Sequence, residues 1–83
     1  MHATDDTLRR CFTEALGIPV EKVTDGLEYN SIPEWDSVGH MALIAALETA
    51  FDVMFDTDDI LALSTVAKAR EILGRYGVTF DAA

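Results

Sequence analysis

The residues best suited to chemistry lie together in the stretch SIPEWDSVGHMALIAALETAF, from Ser31 to Phe51. Ser37 is a nucleophile in principle, Asp36 precedes it directly, and His40 follows three residues later. A Ser–His pair could hydrolyse esters, but it would also need a group that orients the His and donors that stabilise an oxyanion. The sequence supplies neither, and this spacing arises by chance on any helix. We therefore predict no catalytic residue.

Ser37 stands where an apolar helical run begins, which leaves two interpretations of its hydroxyl. One is a structural role as the N-cap or first residue of the helix, and the local sequence by itself favours this role. The other is a point at which another protein attaches a chemical group. His40 is interpreted as a packed residue near the preceding loop.

The acids that follow this helix, in DVMFDTDD, raise the question of a calcium site. An EF-hand loop begun at Asp56 would need an oxygen ligand at position 5, Gly at 6 and Glu at 12, where the chain has Ile60, Leu61 and Ala67. Capping and helix-dipole roles explain these acids, so no metal site is predicted. The single Cys11 is interpreted as a small buried hydrophobe.

Composition narrows the class of function. The 83 residues predict one domain over 1–83, and a domain of this size has little room for an enclosed active site. The formal net charge of -9 argues against nucleic acid and against an anionic membrane surface, and it favours a partner with a basic docking face. A binding or carrying role is therefore favoured over an enzyme.

The chain shows no targeting or membrane signal. The N-terminal MHATDDTLRR has no apolar core of a signal peptide, and no run approaches the roughly 18 apolar residues of a membrane span. We expect a cytoplasmic, monomeric protein without a membrane span.

The first helix is predicted from Asp5 to Leu16, with Thr4 as its N-cap and Gly17 at its end. From Ile18 to Asp36 the chain has no sustained hydrophobic period. This segment is long for a connection in so small a domain. We expect this loop to be packed onto the helices, with Trp35 fixing its end. The apolar residues available for that packing are Val20, Val23, Leu27, Tyr29 and Ile32.

The second helix is predicted from Ser37 to Phe51. Its core face carries Leu43, Leu47, Ala50 and Phe51, with Ile44 at the edge. The opposite face is mostly small or apolar where an exposed helix face normally carries charge; it holds Val38, Ala42, Ala45 and Thr49, with Met41 near the border.

A short third helix is predicted to open at Asp56 or Thr57, and Ser64 is predicted to cap a last helix from about Thr65 to Tyr76. No segment alternates at period two, so strands are not expected. The predicted fold class is all-α. It is a small antiparallel four-helix bundle, with three main helices, one short third helix and a long packed loop between helices one and two.

With these elements in place, the chain resembles the acyl carrier protein family, including its stand-alone peptidyl-carrier-like relatives. LGIPVEKVTD is similar to the end of the family's first helix and the start of its loop. DSVGHMALIAALETAFDV resembles its Asp-Ser-Leu motif and second helix, with Val38 in the Leu position. DTDDILALSTVAKAREIL resembles its third helix, the Thr-Val junction and the last helix. The likeness covers nearly the whole chain.

The resemblance implies that Ser37 carries 4′-phosphopantetheine, transferred from coenzyme A by a separate phosphopantetheinyl transferase that recognises Asp36. The thiol of that arm would hold an acyl or aminoacyl group as a thioester, supplied by a loading enzyme and passed to downstream transferases or synthases. A helix N-terminus suits the phosphodiester of the arm. The chain would then be a carrier without catalytic activity of its own.

The chain departs from the family pattern at two places. Many members have Gly two residues before the Asp, where this chain has Glu34. Fatty-acid carriers commonly bear several acids along the second helix, whereas this helix and its end keep Glu48 and Asp52. We therefore expect a dedicated lipid or secondary-metabolite pathway. The partner surface is predicted at Val38, Met41, Ala42 and Ala45, with Glu48 and Asp52 at its edge.

Two alternatives to an acyl carrier stay open at this point. One is an aminoacyl or peptidyl carrier loaded by an adenylating enzyme, which shares the arm and differs in cargo. The other is an unmodified helical adaptor, against which the intact Asp36-Ser37 pair counts.

Overall fold

The computed structural model describes residues 2–81 of the chain. Four α-helices and one 3-10 turn are flanked by two short strands. In chain order they are β1 (His2–Thr4), α1 (Asp5–Leu16), the 3-10 turn (Val20–Lys22), α2 (Ser37–Phe51), α3 (Thr57–Ala62), α4 (Val66–Arg75) and β2 (Thr79–Asp81). The predicted helical bundle of three main helices and one short helix is confirmed.

Helix α1 has the bounds that its sequence predicts. The Oγ1 atom of Thr4 accepts a hydrogen bond from the N–H of Thr7 at 3.3 Å, which satisfies one of the free donors of the first turn. At the other end Gly17 has a φ of 68°, a left-handed conformation that glycine adopts without strain. Its N–H donates to the carbonyl of Thr13, which closes the helix.

Helix α2 also has its predicted bounds, but Asp36 and not Ser37 is the N-cap. Its side chain accepts the N–H of Gly39, so Ser37 becomes the first helical residue. The predicted core face is confirmed at four positions, since Leu43, Ile44, Leu47 and Phe51 are buried. Ala50 lies half-buried beside them.

The N-cap of α4 is Thr65, so the prediction of Ser64 is wrong. Thr65 is extended, with φ -143° and ψ 166°, and its Oγ1 accepts the N–H of Lys68 at 2.9 Å. Ser64 lies one residue before the N-cap position, where its carbonyl accepts the N–H of Tyr29 at 2.8 Å. An N-cap side chain reaches an N–H two or three residues further on, and here the hydroxyl of Thr65 takes that position for Lys68. Helix α3 begins at Thr57 with Asp56 as its N-cap, as expected.

The expectation of no strands is wrong at the chain ends. Strands β1 and β2 pair in parallel, with His2 opposite Thr79, Ala3 opposite Phe80 and Thr4 opposite Asp81. Three residues are too few for a period-two pattern to be visible in the sequence. The pair joins the start of α1 to the segment after α4.

The long loop between α1 and α2 is packed, as predicted. Ile18, Val23 and Leu27 are buried, and the Arg9 guanidinium on α1 donates to the carbonyl oxygens of Val23 at 3.1 Å and Val20 at 3.0 Å. The side chain of Val20 is 42% exposed, so this residue holds the loop through its backbone and not through apolar burial. Over residues 2–81 no helix has the length and hydropathy to cross a membrane.

Candidate functional site

Ser37 lies at the exposed first position of α2. Among residues 2–81 its hydroxyl has no hydrogen-bond partner. Asp36 fixes the turn before it, since one carboxylate oxygen accepts the N–H of Gly39 at 2.8 Å and the backbone carbonyl accepts the N–H of His40 at 2.8 Å. The result is a free hydroxyl on a rigid helix start.

Trp35 anchors the end of the loop, as predicted. Its side chain is completely buried and its ring meets that of Phe12 edge-on, with centroids 5.4 Å apart. Its carbonyl accepts the N–H of Asn30 at 2.9 Å. A large side chain held this firmly fixes the backbone of its neighbour Asp36 and therefore the direction of Ser37.

Gly39 allows the loop to lie against the helix, a role that was not predicted from the sequence. A Cβ atom at position 39 would overlap the backbone carbonyl oxygen of Glu34 and would press on the side chain of Leu16. The signal was present in the sequence, because Gly in the first turns of a helix is unfavourable unless a close approach requires it.

His40 is a packed residue beside the loop, as predicted. The Trp35 indole N–H donates to His40 Nδ1 at 3.0 Å, and His40 Nε2 lies 2.8 Å from the carbonyl oxygen of Ile60 on α3. Both ring nitrogens are therefore engaged, and neither is left to take a proton from Ser37. This geometry removes the Ser–His hydrolase interpretation.

A cleft of about 280 Å³ opens between α2 and α3 with Ser37 on its rim. Its lining includes Ser37, His40 and Met41 from α2, Ile60 and Leu61 from α3, and Tyr29 from the loop. Leu61 is 77% exposed. Ile60, Leu61 and Tyr29 were not predicted as site residues, because their proximity to Ser37 depends on how α3 and the loop pack against α2.

The predicted partner surface is exposed on α2. Val38 is 77% and Met41 55% exposed, and Ala42 and Ala45 are exposed beside them. Of the two predicted edge acids, Asp52 is exposed at the end of the helix. Glu48 is half-buried, and its carboxylate accepts the N–H of Phe55 at 2.9 Å. Glu48 therefore holds the connection between α2 and α3.

The acids around α3 act as structural groups. Asp56 caps α3 through the N–H of Asp59, and the Asp59 carboxylate accepts the Tyr76 hydroxyl at 2.6 Å. The hydrogen bond to Asp59 raises the pKa of Tyr76. Within residues 2–81 no three His, Cys, Asp or Glu side chains form a group that could hold a metal ion.

Cys11 is buried, 7% exposed, as predicted. Burial, with the nearby Glu14 carboxylate, raises the pKa of its thiol, which keeps it protonated and unreactive near neutral pH. The thiol therefore contributes to packing against α2.

Comparison with known families supplies the class of this protein. The family model for the phosphopantetheine attachment site matches residues 6–73, and the chain belongs to this family. It is a carrier protein whose cofactor is covalent 4′-phosphopantetheine, and members of the family interact with a phosphopantetheinyl transferase and with pathway enzymes. Carrier domains of this kind are typically non-catalytic. A search of curated proteins found no match.

The surroundings of Ser37 fit a phosphodiester. The hydroxyl is exposed and unpartnered in the described chain, and the first turn of α2 leaves backbone N–H groups without intrahelical partners. These donors and the positive end of the helix dipole favour a negatively charged group at this position. The cleft beside it leaves space for an attached arm to lie against α3.

Proposed function

We propose that Ser37 is the attachment point of 4′-phosphopantetheine and that the protein is a stand-alone carrier of acyl or aminoacyl groups. The observation that carries this proposal is the free, exposed hydroxyl of Ser37 at the first position of a helix whose start is fixed by Asp36. When bound, the arm supplies the thiol on which cargo is held as a thioester.

The other serines near the site are less suited to attachment. The Ser31 hydroxyl lies 2.6 Å from the carbonyl oxygen of Glu28, to which it donates within a tight turn. Ser64 is exposed on the cleft, but it lies in the connection before α4 and outside the first turn of any helix. Ser37 alone among these three combines an unpartnered hydroxyl with a helix start.

The chain needs only to present Ser37, because a transferase can bring its own base. Asp36 uses one carboxylate oxygen for the N-cap bond, and its other oxygen forms no hydrogen bond within the described chain. We assign Asp36 two roles, the fixing of the helix start and recognition by the phosphopantetheinyl transferase. His40 contributes no proton transfer, since both of its nitrogens are engaged.

The partners are proposed to dock on an apolar surface made of Val38 and Met41 on α2 and Leu61 on α3, with Ala42 and Ala45 at its border. Val38 and Leu61 are each 77% exposed. Residues 28–67 contain eight of the fifteen Asp and Glu and none of the six Lys and Arg. Apolar anchors at the centre of an interface dominate affinity, and the surrounding acids would steer a basic partner toward them.

A dedicated biosynthetic pathway is proposed from the same surface. The exposed face of α2 carries Val38, Met41 and Ala45 where a carrier steered along this helix would need charge. The enzymes that load and unload this carrier should therefore complement an apolar patch. We propose a lipid or secondary-metabolite pathway with its own loading enzyme and its own transferases or synthases.

The test is modification of the purified apo protein by a broad-specificity phosphopantetheinyl transferase with coenzyme A, followed by intact-protein mass spectrometry. We expect one phosphopantetheine group on the wild-type protein and on Ser31→Ala and Ser64→Ala, and none on Ser37→Ala. Circular dichroism should show Ser37→Ala folded, because the cap is Asp36. Modification of the Ser37→Ala variant would contradict the assignment.

A further inference from the structure

One hydrogen bond beside the attachment site exists in only one protonation state of His40. The indole N–H of Trp35 can only donate, so Nδ1 of His40 must accept and carries no proton. The carbonyl oxygen of Ile60 can only accept, so Nε2 of His40 must carry the proton and donate. The two contacts together select the neutral Nε2–H tautomer of the imidazole.

These contacts join three elements that surround Ser37. Trp35 ends the packed loop, His40 lies in the first turns of α2, and Ile60 lies on α3, twenty residues further along the chain. His40, Ile60 and Ser37 also line the same cleft. The imidazole therefore connects the two helices that form the walls of the cleft beside the hydroxyl.

The rings of the loop support the imidazole on its other sides. The Trp35 and His40 rings lie nearly parallel, with an interplanar angle of 20° and centroids 6.2 Å apart, so the N–H of Trp35 meets Nδ1 side by side. The Tyr29 ring meets that of His40 at a centroid distance of 5.2 Å and an interplanar angle of 66°. Trp35 is completely buried, so no water replaces His40 as the acceptor for its N–H.

The titratable groups on the surrounding elements are Glu21, Lys22, Asp25, Glu28, Tyr29 and Glu34 in the loop, Asp36 before α2, Glu48 on α2, Asp52 at its end, and Asp56, Asp58 and Asp59 at the start of α3. Of these, only the Tyr29 ring is in contact with the imidazole. Asp36 and Asp56 cap helices, Glu48 holds the N–H of Phe55, and Asp59 is bonded to Tyr76. None of these carboxylates forms a hydrogen bond with the imidazole of His40 or with the indole N–H of Trp35.

We propose that neutral His40 is a positioning residue that holds the Ser37 helix start, the loop end and α3 in one arrangement, and that its protonation releases Trp35 and loosens the site. A protonated imidazole presents an N–H at Nδ1 toward the N–H of Trp35, so this bond is lost while the bond to Ile60 remains. The consequence for carrier loading rests on the proposed function of Ser37; the structural change does not.

Two variants separate the two bonds. The His40→Gln variant places an amide N–H near the position of Nε2, keeps the bond to Ile60 and loses the bond to Trp35 at every pH. The His40→Asn variant places an amide oxygen near the position of Nδ1 and keeps the acceptor for Trp35 while losing Ile60. Neither side chain titrates. The His2→Gln variant removes the only other histidine and serves as the matched control.

The first measurement is the fluorescence of Trp35, the single tryptophan of the chain, between about pH 8 and pH 5. This range contains the ordinary pKa of histidine side chains in general and lies above that of most carboxylic side chains. We expect one transition in the wild type and in His2→Gln, and its loss in both His40 variants. At pH 8 His40→Gln should emit like the wild type at low pH, whereas His40→Asn should not. A flat wild-type curve, or the same transition in His40→Gln, would overturn the proposal.

The second measurement is kcat/KM for transferase modification of Ser37, expressed as the ratio of His40→Gln to wild type at each pH so that the transferase's own pH dependence cancels. We expect a severalfold deficit at pH 8 that disappears toward pH 5, with an unchanged far-ultraviolet circular dichroism spectrum. A constant ratio would show a merely structural role for His40. If no protein is modified at any pH, the proposed function fails, and the fluorescence result still decides the positioning role.

Discussion

Two regions of this protein use charge in opposite ways. The supporting region, residues 4–27 and 68–80, holds all six Lys and Arg, and its side chains fasten backbone segments together. Arg9 holds the loop through two carbonyl oxygens, and Arg70 on α4 joins Asp5 of α1 and Asp25 of the loop. The presenting region, residues 28–67, has eight acids and no Lys or Arg.

Apolar exposure follows the same division. Of the six large hydrophobic side chains that are exposed among residues 4–80, only Val20 lies in the supporting region. The others are Tyr29, Val38, Met41, Met54 and Leu61. The acids of the presenting region repel one another, whereas the hydrogen bonds and ion pairs of the supporting region stabilise the fold. Several acids of the presenting region are used within the fold, as caps or in the contacts of Glu48 and Asp59, so its exposed apolar groups are what remains for partners.

We expect the largest effect when a charge is placed on the apolar surface of the presenting region. Val38→Asp or Met41→Asp should lower kcat/KM for transferase modification by on the order of tenfold, since a charge at an interface centre must be desolvated. Val20→Asp introduces the same charge in the supporting region and should leave the rate near wild type. Equal losses in all three variants would show that added charge, and not the apolar surface, determines the rate.

The next prediction compares two helical glycines. Gly39→Ala should lower the free energy of unfolding by about 1–2 kcal/mol, because overlap with the Glu34 carbonyl outweighs the gain in helix propensity. Gly74→Ala on α4 meets no atom within 4 Å and should raise it by about 0.5–1 kcal/mol. Urea denaturation measures both. A stabilised Gly39→Ala variant would contradict the close approach of the loop.

We expect a smaller effect on stability when the ion pairs of Arg70 in the supporting region are removed. Arg70→Ala should lower the free energy of unfolding by about 1 kcal/mol, since its side chain is 28% exposed and the bonds to Asp5 and Asp25 are partly screened. Lys68→Ala removes an exposed pair with Glu71 on the same helix and should cost about 0.5 kcal/mol or less. The transferase rate should stay unchanged in both, which separates support from presentation.

We expect the smallest effect when the hydrogen bond from the Tyr76 hydroxyl, at the end of α4, to Asp59 of α3 is removed. Because the bond to Asp59 raises the pKa of Tyr76, folding favours the protonated phenol, and this contribution is present below about pH 10 and lost as the pH rises through the folded value. Tyr76→Phe should be slightly less stable than wild type near neutral pH, with a shallower loss of stability above pH 10. Thermal melts at pH 7, 9 and 10.5 measure the difference, and parallel curves would contradict it.

The sequence determined the elements whose signals are local. Helices α1 and α2 begin and end at their predicted residues because the caps, the glycine stop at Gly17 and the apolar period all lie within the segments themselves. The placement of Ser37 at a helix start follows from the same local signals, as does the buried stripe of α2. The family of carriers was identifiable for the same reason, since its motif and helix order are written along the chain.

The tertiary structure decided what depends on residues far apart in the chain. Thr65 rather than Ser64 caps α4 because the loop fixes the Ser64 carbonyl from across the fold, and the two terminal strands pair residues more than seventy positions apart. The same holds at the site, where His40 reaches the carbonyl of Ile60, twenty residues further along the chain. A hydrogen bond needs atoms about 3 Å apart with aligned donors, and a linear pattern sets residue types but not that geometry between packed elements.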